Sequence, residues 1–436
     1  MTSLSHELER LPRGGELSGR ERRATANARA AELMCAAEPV LVGVRPAHQV
    51  VPGMQPGTIL TSGPDQEWSQ YTGGQRAAVV GGAIYESLAR DAGEVDAKVS
   101  AGEITVAACQ RHLCIGSLAG VYTASMPVFV VENATSGNRA FCTLFEGASP
   151  YRLNYGVYNE SVRENLRFLG DVIAPTLHEA VTATGGIALR PIMRRALHLG
   201  DELHSRNTAA TLLFTRDLFP SLLDRAASDR LAVQRLLDYL GGGDYFFLRL
   251  SMAASKATAD AAHGIEGSSV VTAMAFNCRE FGIRVSGLGD AWWRGSLPSL
   301  SALRLFEGHS PAEVEFMGGE STINETVGLG GFAQAAAFPL QRYQGGSATR
   351  MVRANRKMYE ITVAEHPEFA IPYLGFRGVP VGIDIERVVS TRIAPVLDIG
   401  IAGRNGGQIG AGCFRAPIRC FDEAWSAYRQ LYGDEA

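Results

Sequence analysis

The chain has 436 residues, with 41 Lys+Arg against 45 Asp+Glu, 46% apolar and 20% charged residues, and a net charge of −4. That composition excludes a disordered chain, a collagen-like repeat and a disulfide-stapled miniprotein, and it offers no broad basic footprint for nucleic acid. At about 150 residues per domain the length predicts roughly three domains.

Residues 1–39 read as a lead-in followed by a helix over 18–37, with Ala26, Ala30, Leu33 and Met34 on one side. Residues 40–157 read as an α/β domain. Its expected strands are VLVGV (40–44), ITVAAC (104–109), PVFVVEN (127–133) and RAFCTL (139–144). ATSGN (134–138) is a hairpin link between the last two, and TGGQRAAVVGGAIYESLA (72–89) is a turn running into a helix. From 158 to 265, Leu, Arg, Ala, Asp and Glu recur at helical spacing and β-branched runs vanish, which predicts an all-α domain of four to six helices. Strand texture returns in the last domain, 266–436, at SSVVTAMAF (268–276) and FGIRVSG (281–287). A Gly-rich loop (317–331), helices at 333–337 and near 348–364, strands at 379–384 and 395–402, a Gly-rich turn and a helix at 420–432 complete it. The expected class is α+β: mixed N- and C-terminal domains around a central helical one.

Several chemistries are absent. Lys98, Lys256 and Lys357 are the only lysines, so no Gly-Lys pair and no P-loop exists, and an anion site must use Arg, backbone amides or helix N-termini. The seven cysteines are odd in number with no C-x-x-C pair, which argues against a disulfide framework or a Cys-rich zinc site. The N-terminus lacks an apolar signal region, and no apolar run reaches the roughly 18 residues of a membrane span. The expectation is a soluble cytoplasmic protein without metal or cofactor.

The motifs that remain are polar residues on Gly-rich ground. GDELHSRN (200–207) places Asp201 three residues from His204 and Glu202 four from Arg206, so a carboxylate could orient the imidazole for proton transfer, or the run is a solvated face with one salt bridge. FGIRVSGLGD (281–290) puts Arg284 and Ser286 on one strand face ahead of two glycines, either an anion cradle or an edge strand entering a turn. GGESTINETVGLGG (318–331) carries Glu325 and Thr326 on a loop whose amides suit phosphate or carboxylate. ENATSGNRAFCTLFEG (132–147) holds Asn133, Asn138 and Arg139 around the hairpin, where a turn-and-surface role is the simpler reading. Asp384 could cap a helix, and Arg415 follows another Gly-rich bend. Together these suit a small anionic substrate.

Six stretches in the same order resemble one family: TASMPVFVVEN, GNRAFCTLFEG, GDELHSRN, FGIRVSGLG, NETVGLGG, and IDIERVV…IGIAG…GGQIGAG…RAP. The chain is similar, from about residue 40 to its end, to the oxamate carbamoyltransferase subunits of the AllG/YlbE type. The resemblance implies one component of a multi-subunit enzyme that works with an FdrA-like and an AllH-like subunit. The implied reaction moves a carbamoyl group reversibly between oxalurate and phosphate, giving oxamate and carbamoyl phosphate in allantoin breakdown. By position in the matching motifs, Arg139, Arg284 and Arg415 are candidates for phosphate and carboxylate, and Asn133, Asn138, Asn207 and Asn277 for carbamoyl or amide groups. Ser286, Glu325 and Thr326 join the substrate-binding set, and His204, held by Asp201 or Glu202, is the candidate proton shuttle. Where the family tends to read Arg-Asn-Gly, this chain has Phe276-Asn277-Cys278, which points to a less anionic or more apolar acceptor. Two other classes compete: a non-catalytic scaffold for an FdrA-like partner, and a ureido-compound hydrolase, for which neither a metal set nor a nucleophile is visible.

Overall fold

The computed structural model describes residues 18–243, 245–298, 304–315 and 319–433; the expected lead-in at 1–17 and the first residues of the Gly-rich loop lie outside them. The N-terminal sheet has the order Arg139–Thr143, Pro127–Asn133, Pro39–Pro46, Ile187–Ala188, and every neighbouring pair is antiparallel. Beside it, Thr58–Thr61 and Thr105–Ala108 pair in parallel, and the helices Gly73–Tyr85 and Ala92–Ser100 carry the crossover that a parallel pair requires. The central segment is helical apart from the two-residue strand Ile187–Ala188, which joins the N-terminal sheet.

The last third holds three antiparallel sheets. Val271–Phe276, Glu280–Val285 and Trp293–Ser296 form a meander. Thr362–Ile371 pairs with Arg377–Ile383. The third sheet runs Arg304–Leu305, Gln408–Arg415, Val396–Gly403, Val314–Glu315. The α+β class is therefore what the structure shows.

Two expectations need correction. The segment at 406–415 is not a bend but enters the full strand Gln408–Arg415. Its glycines hide the β pattern because neighbours crowd them: a Cβ on Gly410 would lie 2.6 Å from the Arg304 carbonyl oxygen. The helix expected near 348–364 stops at Met358, and the chain turns into the strand from Thr362.

The spine of the molecule is the helix Phe246–Ala261, where 13 of 16 residues are buried. It packs on the strands Pro127–Asn133 and Arg139–Thr143 and on the short helix Ile323–Thr326. A helix enclosed on all sides is expected to be apolar all round. This one carries Arg249, Ser251, Ser255 and Lys256 inward, and each buried polar group needs a partner. Ser251 donates to the Leu203 carbonyl (2.9 Å), Ser255 donates to Asn324 Oδ1 (2.7 Å) and Lys256 pairs with Asp260. Arg249 leaves its Nε and Nη1 without an acceptor.

Candidate functional site

A cleft of about 970 Å³, measured out to its open mouth, lies where the three parts of the chain meet. The first part supplies Ser117, Phe145, Arg152 and Tyr155, and the helical part supplies His204, Ser205, Tyr245 and Arg249. The last part supplies Phe276, Thr322, Ile401, Gln408 and Phe414. Leu118, on the wall, holds φ +54°, and the buried Leu203, just before His204, holds φ +70°. Left-handed backbone costs a β-carbon residue roughly 1–2 kcal/mol, and such outliers gather where function fixes geometry.

His204 is the best-defined group on the wall. Its Nδ1 lies 2.8 and 3.0 Å from the two carboxylate oxygens of Glu325. Glu325 Oε1 also accepts the backbone N–H groups of Gly331 (3.0 Å) and Asp398 (2.9 Å), which fixes its orientation. A carboxylate at Nδ1 puts the proton there and leaves Nε2 as the nitrogen not engaged by Glu325. Burial pulls the imidazolium down, but the charge and hydrogen bond of Glu325 and the charge of Asp398 outweigh it and hold the pKa above its ordinary value.

Asp398 accepts from Gln334 Nε2 (2.7 Å) and from the Cys413 thiol (3.1 Å), and burial and the nearby Glu325 push its carboxyl pKa up. Burial and the charge of Asp398 likewise raise that of Glu202 well above the usual range. Burial and the repulsion of neighbouring carboxylates thus favour keeping protons on Asp398 and Glu202.

Residues 201–207 lie between helices, not within one, so the expected partnership of His204 with Asp201 or Glu202 does not form. Glu202 turns to the backbone, accepting the N–H groups of His204 (3.2 Å), Ser205 and Arg206 (2.9 Å). Asp201 accepts the Ala210 N–H (2.8 Å) in the first turn of the helix Thr208–Ala226. The second oxygen of Asp201 faces Arg206 Nε at 3.4 Å, and the carboxylate at the imidazole is that of Glu325.

The other expected site residues are scattered. Arg284 is outside the cleft lining and pairs with Asp260 at 2.7 Å, so a half-buried carboxylate already compensates its charge. Ser286 donates to the Ala262 carbonyl and accepts from the Ile265 N–H. Asn277 ties a turn, accepting from Arg279 and Glu280 N–H and donating to the Pro64 carbonyl. Asn133 accepts the Glu38 N–H, and Asn138 donates to the Ala257 carbonyl. Arg139 is an exposed cross-strand partner of Glu132. Asn207 precedes the helix Thr208–Ala226 and donates to the His204 carbonyl (2.8 Å). Thr326 donates to the Thr322 carbonyl, and Arg415 donates to the Ala394 carbonyl. Of the whole set, the structure brings His204 and Glu325 together at the cleft, with Glu202 and Asn207 shaping the loop behind.

Sequence reasoning missed Arg152, Tyr155, Arg249 and Gln408. Arg249 had a signal: one arginine inside the apolar run FFLRLSMAA (246–254), where a solvated face should carry several charges. Among the described residues, no group of three His, Cys, Asp or Glu side chains is arranged to hold a metal ion, and no helix is long and apolar enough to cross a membrane.

Comparison with known proteins gives this fold and cleft a context. A crystal structure of a conserved protein of unknown function from Enterococcus faecalis V583 has the same fold, with a TM-score of 0.91 and 36% identity over 95% of this chain and 99% of that one. The protein YahG of Escherichia coli K12 is 41% identical over 413 residues, 94% of this chain and 87% of that one. The oxamate carbamoyltransferase subunit AllG of the same organism is 38% identical over 415 residues, 94% of this chain and 98% of that one. The family described as oxamate carbamoyltransferase subunit AllG matches residues 104–321. The chain belongs to that family.

Proposed function

We propose that this chain is the subunit of a multi-component carbamoyltransferase that carries a proton-transfer group of the reaction. The reaction moves a carbamoyl group between an oxalurate-like ureido acid and phosphate. The observation that supports this reading is the His204–Glu325 pair on the wall of a cleft, in a member of this family. In the phosphorolytic direction a phosphate oxygen forms a bond to the ureido carbon and the C–N bond to the leaving amide nitrogen breaks. That nitrogen must gain a proton. An imidazolium whose protonated form Glu325 favours is suited to donate it from Nε2, and in reverse the same nitrogen removes it. The hydroxyls of Ser117 and Ser205 are within the lining to meet charge developing on the carbonyl oxygen.

In this reading the chain works in the cell with an FdrA-like and an AllH-like subunit, in the cytoplasm, on a route of allantoin breakdown. The competing reading is a scaffold that binds an FdrA-like partner without contributing chemistry. The helix Thr208–Ala226 favours some protein contact, because Leu212, Phe219 and Leu223 stand 49–74% exposed along it.

The test is phosphate-dependent formation of carbamoyl phosphate from oxalurate, by the chain alone and co-expressed with both partners. Removing a general acid–base group costs roughly 10²–10⁴-fold. We expect activity in the assembled enzyme to fall by that order in His204→Gln with the complex intact. Full activity of the variant complex would leave the scaffold reading standing.

A further inference from the structure

Four arginines are buried among the described residues: Arg23, Arg190, Arg249 and Arg284. Arg23 pairs with Glu386 at 2.8 Å, Arg190 with Glu38 and Glu368 at 2.8 Å each, and Arg284 with Asp260 at 2.7 Å. Arg249 is 4% exposed and is in no ion pair among the described residues, and its Nε and Nη1 have no hydrogen-bond acceptor. A charge in that position costs folding free energy that a carboxylate partner would offset.

The acidic groups nearby are occupied elsewhere. Glu146 accepts the N–H groups of Leu153 (2.6 Å) and Asn154 (3.0 Å) and the Asn154 side-chain amide (2.6 Å). Glu315, on the cleft lining, accepts the Gly74 N–H at 3.1 Å and faces Arg404 at 3.7 Å. The polar neighbour left to Arg249 is the Cys142 thiol, which burial pushes up to about 11 against the pull of the guanidinium.

Arg249 lines the cleft together with His204 and Arg152. Arg152 lies over Phe145 (4.9 Å) and Tyr155 (5.0 Å), with its Nε donating to the Ser149 carbonyl. Tyr155, also on the lining, feels the charge of both arginines. Free guanidinium N–H groups suit the forked recognition of carboxylate or phosphate.

We propose that Arg249, with Arg152 beside it, is the anchor for a small oxyanion, a phosphate or a carboxylate, in the cleft. The link to carbamoyl transfer rests on the function proposed above; the anion site itself does not. The bound anion supplies the counter-charge that the fold withholds from Arg249. The sequence candidates Arg139, Arg284 and Arg415 do not meet this condition: Arg139 and Arg284 pair with Glu132 and Asp260, and Arg415 is exposed and donates to the Ala394 carbonyl.

The test is calorimetric titration of the full-length chain at neutral pH with inorganic phosphate, with oxamate and with the neutral amide oxamide. Binding of phosphate or oxamate but not oxamide is expected, and which of the two binds identifies the source of the oxyanion. Arg249→Met, close in length and neutral, is expected to weaken that binding at least tenfold while its thermal midpoint without ligand stays equal to or above that of the parent. A purely structural arginine would give the opposite pair of results. If the methionine variant does not fold, Arg249→Gln replaces it in the titration under the same criterion. Unchanged affinity in the variant, or no oxyanion binding by the parent chain, overturns the proposal. Anion binding that depends on Arg249, in a complex that transfers no carbamoyl group, would keep the anchor and sink the transferase reading. A complex that transfers normally with Arg249→Met would do the reverse.

Discussion

Burial lowers the His204 imidazolium, and Glu325 and Asp398 more than reverse that, so the ring is easier to protonate in the folded protein than at its ordinary pKa of 6.5. The sign of the linkage follows. A raised folded pKa gives stability that is fully present below about 6.5 and is lost as pH rises through the raised value. The thermal midpoint of the parent chain should therefore fall across that interval by more than that of His204→Gln. Parallel curves between pH 6 and 9 would show that Glu325 does not hold the proton on the ring. Glu320 works in the same direction lower on the scale. It is fully buried, and burial lifts its carboxyl to about 7 against the N–H groups of Gly116 (2.7 Å) and Gly63 (3.2 Å) and the charge of Lys256. An acid raised from 4.5 to about 7 loses its contribution as pH climbs through that window. Glu320→Gln should lower the midpoint at acidic pH, because one amide loses its acceptor at a cost of about 1–3 kcal/mol. It should also flatten the decline between pH 4.5 and 7, and denaturant melts at four pH values would read both effects.

At the scale of elements, the turn after the short helix Ile323–Thr326 sets the site. Gly330 holds φ +55°, and a Cβ there would sit 2.3 Å from Glu325 Oε1 and 3.0 Å from the His204 Cβ. Gly102 holds φ +74° with nothing within 4 Å. Both alanine variants carry the left-handed penalty of roughly 1–2 kcal/mol. Only Gly330→Ala should lose substantially more than that and also disturb the titration of His204, which NMR of the imidazole would follow. Equal losses in the two variants would remove Gly330 from the site. The contrast explains which parts were legible in the sequence. The hairpin strands 127–133 and 139–143 were readable because β-branched and aromatic residues dominate them and a Gly-Asn link joins them. The strand Gln408–Arg415 was not, because close approach of the Arg304 backbone requires a glycine at 410. The run 201–207 looked helical by spacing, but the positive φ of Leu203 breaks it and swings His204 toward a different partner. His204 and Glu325 were each visible alone. Their pairing spans 121 positions, which no local pattern encodes.

For the molecule as a whole, the enclosed helix Phe246–Ala261 links all three regions. One apolar core runs from Ala30 to Val381, drawing on the N-terminal sheet, the central helices and the last third. The helical segment 158–265 should therefore fail to fold alone, since its longest buried helix would expose the face that meets Pro127–Asn133, Arg139–Thr143 and Ile323–Thr326. Expressed by itself it should show little cooperative melting by circular dichroism; a sharp transition would mean the segment carries its own core.

The cleft also has a place in time. Its wall includes His204, yet Glu325 follows 121 positions later and Phe414 later still. A ribosome adds roughly 5–20 residues per second. His204 thus leaves the ribosome on the order of ten seconds or more before the strand that carries Phe414 exists. Until then the unpaired guanidinium of Arg249 has water for company rather than a cavity. The binding site is among the last features of a newborn chain to appear, and any premature stop before the final strands removes it entirely.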